Sequence, residues 1–278
     1  MFNPYKIGLY CLLGLVANLC LAQQEDTIVE DSLFDISQTT PRWDMSLTLK
    51  SQNYFRGLLP GKAPTLAANA GYLTGDWIFG MYGGVAFDAS YQETDFIVIF
   101  HKARFDLRLD YYYNFTSGIT DIPEPTGLFD FDKATTRGLL DFLVHIKLDN
   151  QNRWDLNTST FLFGRDTDIL TIEAGDESYT VRTDQRYSQY IELKHNWYWN
   201  NNKLNLHLGG SFSWHDFNGP TFYGDKAGIN NIGLSFTKQF KLNPGLKLPV
   251  KASMLMNPLG ETAYLIISVN LIQLGSSI

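Results

Sequence analysis

Apolar and polar residues alternate along most of the chain. Trp43, Met45, Leu47 and Leu49 interleave with Asp44, Ser46, Thr48 and Lys50. Phe105, Leu107, Leu109, Tyr111 and Tyr113 interleave with Asp106, Arg108 and Asp110, and Arg104 precedes them on the polar side. Ile191, Leu193, Trp197 and Trp199 interleave with Glu192, Lys194 and Asn196. Successive side chains of a strand point to opposite faces, so alternation over about ten residues predicts strands. Twelve are predicted, at roughly 42–56, 63–73, 77–91, 95–101, 103–115, 135–148, 153–165, 186–199, 203–215, 226–240, 247–256 and 261–272. Turn signals separate several of them: Thr74-Gly75-Asp76, Asp149 to Asn152, Asn200 to Asn202 and Asn243-Pro244-Gly245. Short linkers tend to alternate with long ones, which run from Thr116 to Ala134, Asp166 to Gln185 and Asp216 to Asp225. The expected fold is all-β, and no domain boundary follows residue 41.

A soluble sandwich or lipocalin-like barrel turns its apolar face inward, whereas a membrane barrel turns it toward lipid. The tryptophans favour the second. Trp43, Trp77, Trp154, Trp197 and Trp199 fall at strand ends beside the N-terminus or a short turn. Trp214 falls at the opposite end with Tyr111 and Tyr113. Amphipathic rings gathered at both rims are what two lipid–water interfaces select, and these eight residues form the expected girdle. The expected architecture is a transmembrane antiparallel up-and-down barrel of about 12 strands. An even strand number closes the ladder, so no backbone group is left unpaired in lipid.

Composition narrows the reading further. With 14% aromatic residues the chain is not disordered throughout, and a net charge of −7 gives no basic footprint for nucleic acid. No stretch of about 20 apolar residues follows the N-terminus, which argues against a helical membrane protein. Lys6, the apolar run from Ile7 to Leu19 and the end Cys20-Leu21-Ala22 read as a signal peptide cut after Ala22. Cleavage removes both cysteines, Cys11 and Cys20, and with them disulfides and thiolate chemistry. Residues 23–41 carry Glu25, Asp26, Glu30, Asp31 and Asp35 among few apolar residues, which predicts a flexible acidic segment before a barrel of residues 42–278.

The segment Ser51-Gln52-Asn53-Tyr54-Phe55-Arg56-Gly57, followed by Gly61-Lys62-Ala63-Pro64, resembles the Y-x-(W/F)-R-G…K-P-A opening of the TorF-like porin family. Here the aromatic directly follows Tyr54, and Ala63 precedes Pro64. The resemblance covers about the first 60 residues after the predicted cleavage site. It implies a bacterial outer-membrane barrel with a channel role and no established substrate.

Catalytic and metal constellations are mostly absent. The five histidines are scattered without H-x-x-x-H or H-E-x-x-H spacing. His215-Asp216 with Ser211 or Ser213 offers the ingredients of a triad at the rim, but serine and histidine are also common fillers of a strand's inner face. Asp166, Asp168 and Glu177 have the outer spacing of a calcium loop, yet Thr171 stands where that loop needs Gly. No cofactor or metal is expected, nor an enzyme. The expected function is porin-like, with small hydrophilic solutes or ions diffusing through a lumen lined by Arg104, Asp106, Arg108, Asp110, Glu192 and Lys194 and a wall embedded in outer-membrane lipid. Two alternatives stand beside it. One is a non-conducting structural or surface-binding barrel, in which Glu124–Gly127 with Phe129 and Phe131 fold inward as a plug of the lumen or outward as a binding patch. The other is a lipid hydrolase at the rim.

Overall fold

The structure, a computed structural model, describes residues 42–116, 127–174, 177–200, 202–243 and 246–274. The predicted signal peptide, the acidic segment, residues 124–126 of the proposed plugging loop and the Pro244-Gly245 turn lie outside the described residues. Sixteen strands follow one another: β1 (Arg42–Lys50), β2 (Asn53–Phe55), β3 (Leu58–Gly61), β4 (Thr65–Thr74), β5 (Trp77–Ala86), β6 (Gln92–Lys102), β7 (Phe105–Asn114), β8 (Gly138–Lys147), β9 (Trp154–Gly164), β10 (Thr167–Ala174), β11 (Glu177–Gln185), β12 (Ser188–Trp199), β13 (Asn202–Ser213), β14 (Gly228–Asn243), β15 (Leu246–Asn257) and β16 (Thr262–Leu274).

Twelve of them close a barrel in the order β1-β16-β15-β14-β13-β12-β9-β8-β7-β6-β5-β4. Every neighbouring pair is antiparallel, and β1 seals the ring by pairing with β16 on one side and β4 on the other. The barrel strands run from 9 to 16 residues, enough for the 9–11 tilted residues that cross a bilayer's hydrocarbon core. The remaining strands form two separate hairpins, β2–β3 and β10–β11, which interrupt the meander at the end of the barrel where the longer connections lie.

The two hairpins are where the structure departs from the predicted strands. The first barrel strand stops at Lys50 rather than running to 56. Phe55 pairs with Leu58 across a two-residue turn in which Arg56 and Gly57 both have positive φ (47° and 95°). That is the primed turn whose twist matches a tight hairpin, and glycine adopts the second position without strain. The linker from Asp166 to Gln185 is itself mostly strand, its alternation of Ile169, Leu170 and Ile172 with polar neighbours forming β10.

The outer wall is apolar. Phe79, Met81, Leu193, Leu206, Leu208, Leu234, Leu265 and Ile267 stand exposed on it, along strands whose alternate residues point inward. A water-soluble surface rarely carries so continuous an apolar patch, whereas the hydrocarbon of a bilayer selects one. Toward the rims the same wall carries exposed Trp43, Trp77, Trp154, Trp197, Trp199 and Trp214. Phe129 and Phe131 also lie outside, stacked on Phe96 and tilted against Tyr111, so this end of the loop takes the outward of its two expected placements. Tyr111 donates its hydroxyl to Leu128 O at 3.0 Å in the same contact. Tyr113 differs from the expected girdle: it is 1% exposed and packs edge-on against Phe115.

Candidate functional site

The lumen is obstructed in its long-loop third. Hairpin β2–β3 turns into the barrel, and its tip residue Arg56 sits in a socket of the β8–β9 wall. Arg56 Nη1 lies 2.9 Å from Asp141 Oδ2 and donates to Ser159 Oγ at 2.5 Å and Tyr223 OH at 2.8 Å. Its guanidinium also lies over the rings of Phe55 (4.6 Å) and Tyr190 (5.4 Å). Asp141 is wholly buried (0% exposed), yet each of its oxygens has a partner: Ser159 Oγ donates to it at 2.6 Å and Tyr112 OH at 3.1 Å. A buried charge tolerates desolvation only when paired and hydrogen-bonded in this way.

Around this pair an aromatic cluster fills the space. Tyr112, Leu139, Phe161, Tyr190 and Tyr223 form its buried centre, with Phe55 and Leu58 of the hairpin and Phe222 packed against it. Phe222 and Tyr223 come from the connection between β13 and β14, so two chain segments enter the lumen together. A second stretch of wall, β14–β15, holds the hairpin by its backbone. Asn230 Nδ2 donates to Arg56 O at 3.0 Å, and Asn257 Nδ2 to Gly57 O at 3.0 Å. Tyr54 OH donates to Asn231 Oδ1 at 2.8 Å. The plug therefore bridges β8–β9 to β14–β15 across the lumen.

Beneath the plug lies a cavity of about 550 Å³, lined among others by Lys50, Arg56, Asp106, Arg108, Glu192 and Lys194. Arg108 forms a two-pronged pair with Asp110, Nε to Oδ1 at 2.7 Å and Nη2 to Oδ2 at 2.5 Å. Lys194 Nζ is 3.3 Å from Glu192 Oε1. Two residues expected along the lumen do not line this cavity. Asp110 is buried behind Arg108. Arg104 precedes β7 in its tight turn, where it donates to Lys147 O at 3.5 Å and to Asn150. The turn breaks the two-residue period, so a position that extends the polar face in sequence leaves it in space.

A polar chain runs round the wall from the short-turn end to the plug. Asp106 contacts His101 and accepts from His145 Nδ1 at 3.0 Å, and His145 Nε2 is 3.2 Å from Asp155 Oδ1. Asn196 donates to Asp155 at 2.8 Å, Asn205 donates to Asn196 at 2.8 Å, and His207 lies 3.2 Å from both Asn205 Oδ1 and Asn231 Oδ1. Carboxylates only accept, so Asp155 orients Asn196 at one end, while Glu192, accepting from Asn231 Nδ2 at 2.9 Å, orients Asn231 at the other. Both nitrogens of His207 consequently face acceptor oxygens, as do both nitrogens of His145.

The ingredients of a rim triad do not assemble. Ser211 Oγ lies 3.3 Å from Thr221 Oγ1, Ser213 Oγ donates to Arg186 O at 2.7 Å, and His215 Nε2 lies 4.0 Å from Asp168. Neither hydroxyl meets the His215 ring. Asp166 is held as an anchor, accepting from Ser188 N and Ser188 Oγ at 2.7 Å each. Burial pushes its carboxyl up to about 6. Among the described residues no group of three or more His, Asp or Glu side chains converges as a metal site.

No protein-family profile and no curated protein matches the chain. Several solved membrane barrels align with it at low identity. A mutant porin of Rh. blastica aligns with 76% of the chain at 10% identity and a TM-score of 0.35, and the chain spans only 55% of that porin's length. An outer-membrane channel from Pseudomonas putida F1 aligns with 87% of the chain and 98% of its own, at 10% identity and a TM-score of 0.37. The outer-membrane protein OpdK from Pseudomonas aeruginosa aligns with 84% of the chain and 98% of its own, at 8% identity and a TM-score of 0.34. The barrel itself rests on the closed strand ladder of this chain.

Proposed function

We propose that the chain is a bacterial outer-membrane, porin-like barrel through which small hydrophilic solutes diffuse passively, with hairpin β2–β3 as the gate of its lumen. In this reading the signal peptide is removed after Ala22, the apolar wall sits in outer-membrane lipid, and no covalent chemistry takes place. The resemblance of Ser51–Pro64 to the TorF-like porins belongs to the same reading: the residues that carry it are the gate and its hinge. One observation supports the proposal above others. A barrel kept only as a brace is filled by interlocking side chains, whereas this wall encloses about 550 Å³ of charged, polar space. Passage would then be governed by the width left beside the plug and by the fixed charges below it.

The second reading, a non-conducting barrel, draws on the plug itself, which is bonded to two separate stretches of the wall. Single-channel recording in planar bilayers separates the two. Discrete conductance steps that scale with salt are expected of a gated pore. A silent bilayer, with protein proven folded by heat-modifiable gel migration, selects the brace.

A further inference from the structure

The charges around the cavity beneath the plug match one another. Seven lysines and arginines line it, with three acids, Asp106, Asp155 and Glu192. Four further acids stand behind or beside the lining and bring the two signs level. Asp141 meets Arg56 and Asp110 meets Arg108. Glu93 and Asp95 of β6 act on Lys50 as opposite charges, against the like charge of Lys251. Strand register spreads the matching round the wall. Asp155 of β9 lies opposite Lys147 of β8 on one side and Lys194 of β12 on the other. Lys194 Nζ also reaches Glu192 at 3.3 Å, and His145 sits between Asp106 and Asp155. Lys203 lies over the Tyr198 ring at 5.6 Å, and both it and Lys251 have interactions of their own. Among the described residues neither sign is in excess around the cavity.

Much of the remaining lining is neutral and hydrogen-bonding. On β14 and β15, Ser235 Oγ donates to Ser253 Oγ at 2.9 Å, and Ser268 of β16 lines the same side. Aliphatic groups border these hydroxyls: Ile266 is in register with Ser253, and Leu255 stands two residues further along the same face. Asn157, Thr158 and Asn205 add amides and a hydroxyl from β9 and β13. A sugar or polyol carries the same mixture, hydroxyls that both donate and accept on a carbon frame. One such hydroxyl can accept from the ammonium of Lys194 while donating to the carboxylate of Glu192, so it joins a matched pair without separating it. A charged solute must instead part a pair, or give up hydration with no counter-charge in return.

We propose that the solute held beneath the plug is a neutral polyhydroxylated molecule, a sugar or polyol, bound between the Lys194–Glu192 pair and the serines of β14–β16. The proposal deepens the pore reading and rests on it. A cavity of about 550 Å³ is within the range that encloses a small organic ligand.

The test is uptake of radiolabelled glucose, gluconate and glucosamine, three solutes of nearly one size, by lipid vesicles holding the full-length protein near neutral pH. Glucose is expected to enter about threefold faster than either ion, or more, because only the ions give up hydration without a counter-charge in return. One unit charge about 8 Å from an ion in water changes its population roughly twofold, so Lys194→Gln, which leaves Glu192 and Asp155 with one cation fewer, should raise glucosamine entry over gluconate about twofold after screening. Either ion entering as fast as glucose, or an unchanged ratio of the two ions in the variant, overturns the polyol site and leaves the pore standing. Entry of none of the three above protein-free vesicles overturns the pore instead. The polyol site is then read by saturation-transfer NMR with the folded protein in detergent. Transfer to glucose that exceeds transfer to gluconate supports it, and equal transfer to both or none to glucose overturns it. Should Lys194→Gln fail to fold, the three-solute comparison of the native barrel decides alone.

Discussion

Replacing Arg56 by alanine removes the cation that meets Asp141 inside the aromatic cluster. The carboxylate would remain with two donors, Ser159 Oγ and Tyr112 OH, and no counter-charge. Leaving a buried charge uncompensated costs about 3–5 kcal/mol. That penalty falls on the plugged state alone, since a hairpin swung out of the lumen lets water reach Asp141. A bias of about 3–5 kcal/mol changes the ratio of open to plugged barrels by roughly two to four orders of magnitude. The assay is open probability in single-channel records, with heat-modifiable migration confirming that the barrel is intact. Asp141→Asn should also favour opening, because it strands the guanidinium. The pair of substitutions together should open the barrel less than the sum of the two, as expected for residues in direct contact. Gly57→Ala reaches the same end without touching charge. Its φ of 95° disfavours a side chain, and a Cβ there would overlap the carbonyl of Asn230. If Arg56→Ala and Gly57→Ala both fold and both leave the open fraction within about threefold of the native value, the hairpin is not the barrier and the reasoning fails.

Two further outcomes follow from other parts of the molecule. Leu208 stands on the outer wall opposite Leu193 near the middle of β13, whereas Phe87 follows the end of β5 at the rim. Leu208→Arg should destabilise folding into lipid vesicles by about 2–4 kcal/mol and Phe87→Arg by at most about 1 kcal/mol, measured by urea titration; equal costs would contradict the apolar belt. Asp166, raised by burial to about 6 from 3.8, takes up a proton as its segment folds. Below about pH 4 the carboxyl is protonated in either state and carries no penalty. Between about pH 4 and 6 the unfolded form ionises first, so the anchor under β10–β11 should weaken as pH rises, by up to roughly 3 kcal/mol, and level off above 6. A carbon-13 titration of the carboxyl should show a midpoint near 6. Hydrogen-exchange protection of the hairpin should fall across the same window and stay flat in Asp166→Asn. A midpoint near 4 would show that the group is solvated.

The barrel was legible in the residues themselves because its cause is local. A closed antiparallel wall facing lipid needs one apolar and one polar face on every strand, and a period of two records that face by face in runs such as Phe105–Tyr113. The outward exposure of the tryptophans follows from the same period. The gate was not legible. Residues 51–56 read as a continuation of β1, and only the Arg56-Gly57 pair hints at a primed turn. Whether such a hairpin extends the wall or folds through it depends on what waits inside. Asp141 and Ser159 on β8 and β9 wait there, with Tyr223 from a distant connection, more than 80 residues along the chain in every case. Arg104 erred the other way, in phase with the polar face by count yet placed in a turn. Alternation reports which side of a wall a residue occupies. It carries no record of which inward side chains meet across a lumen, because those contacts join strands that only closure of the barrel brings face to face.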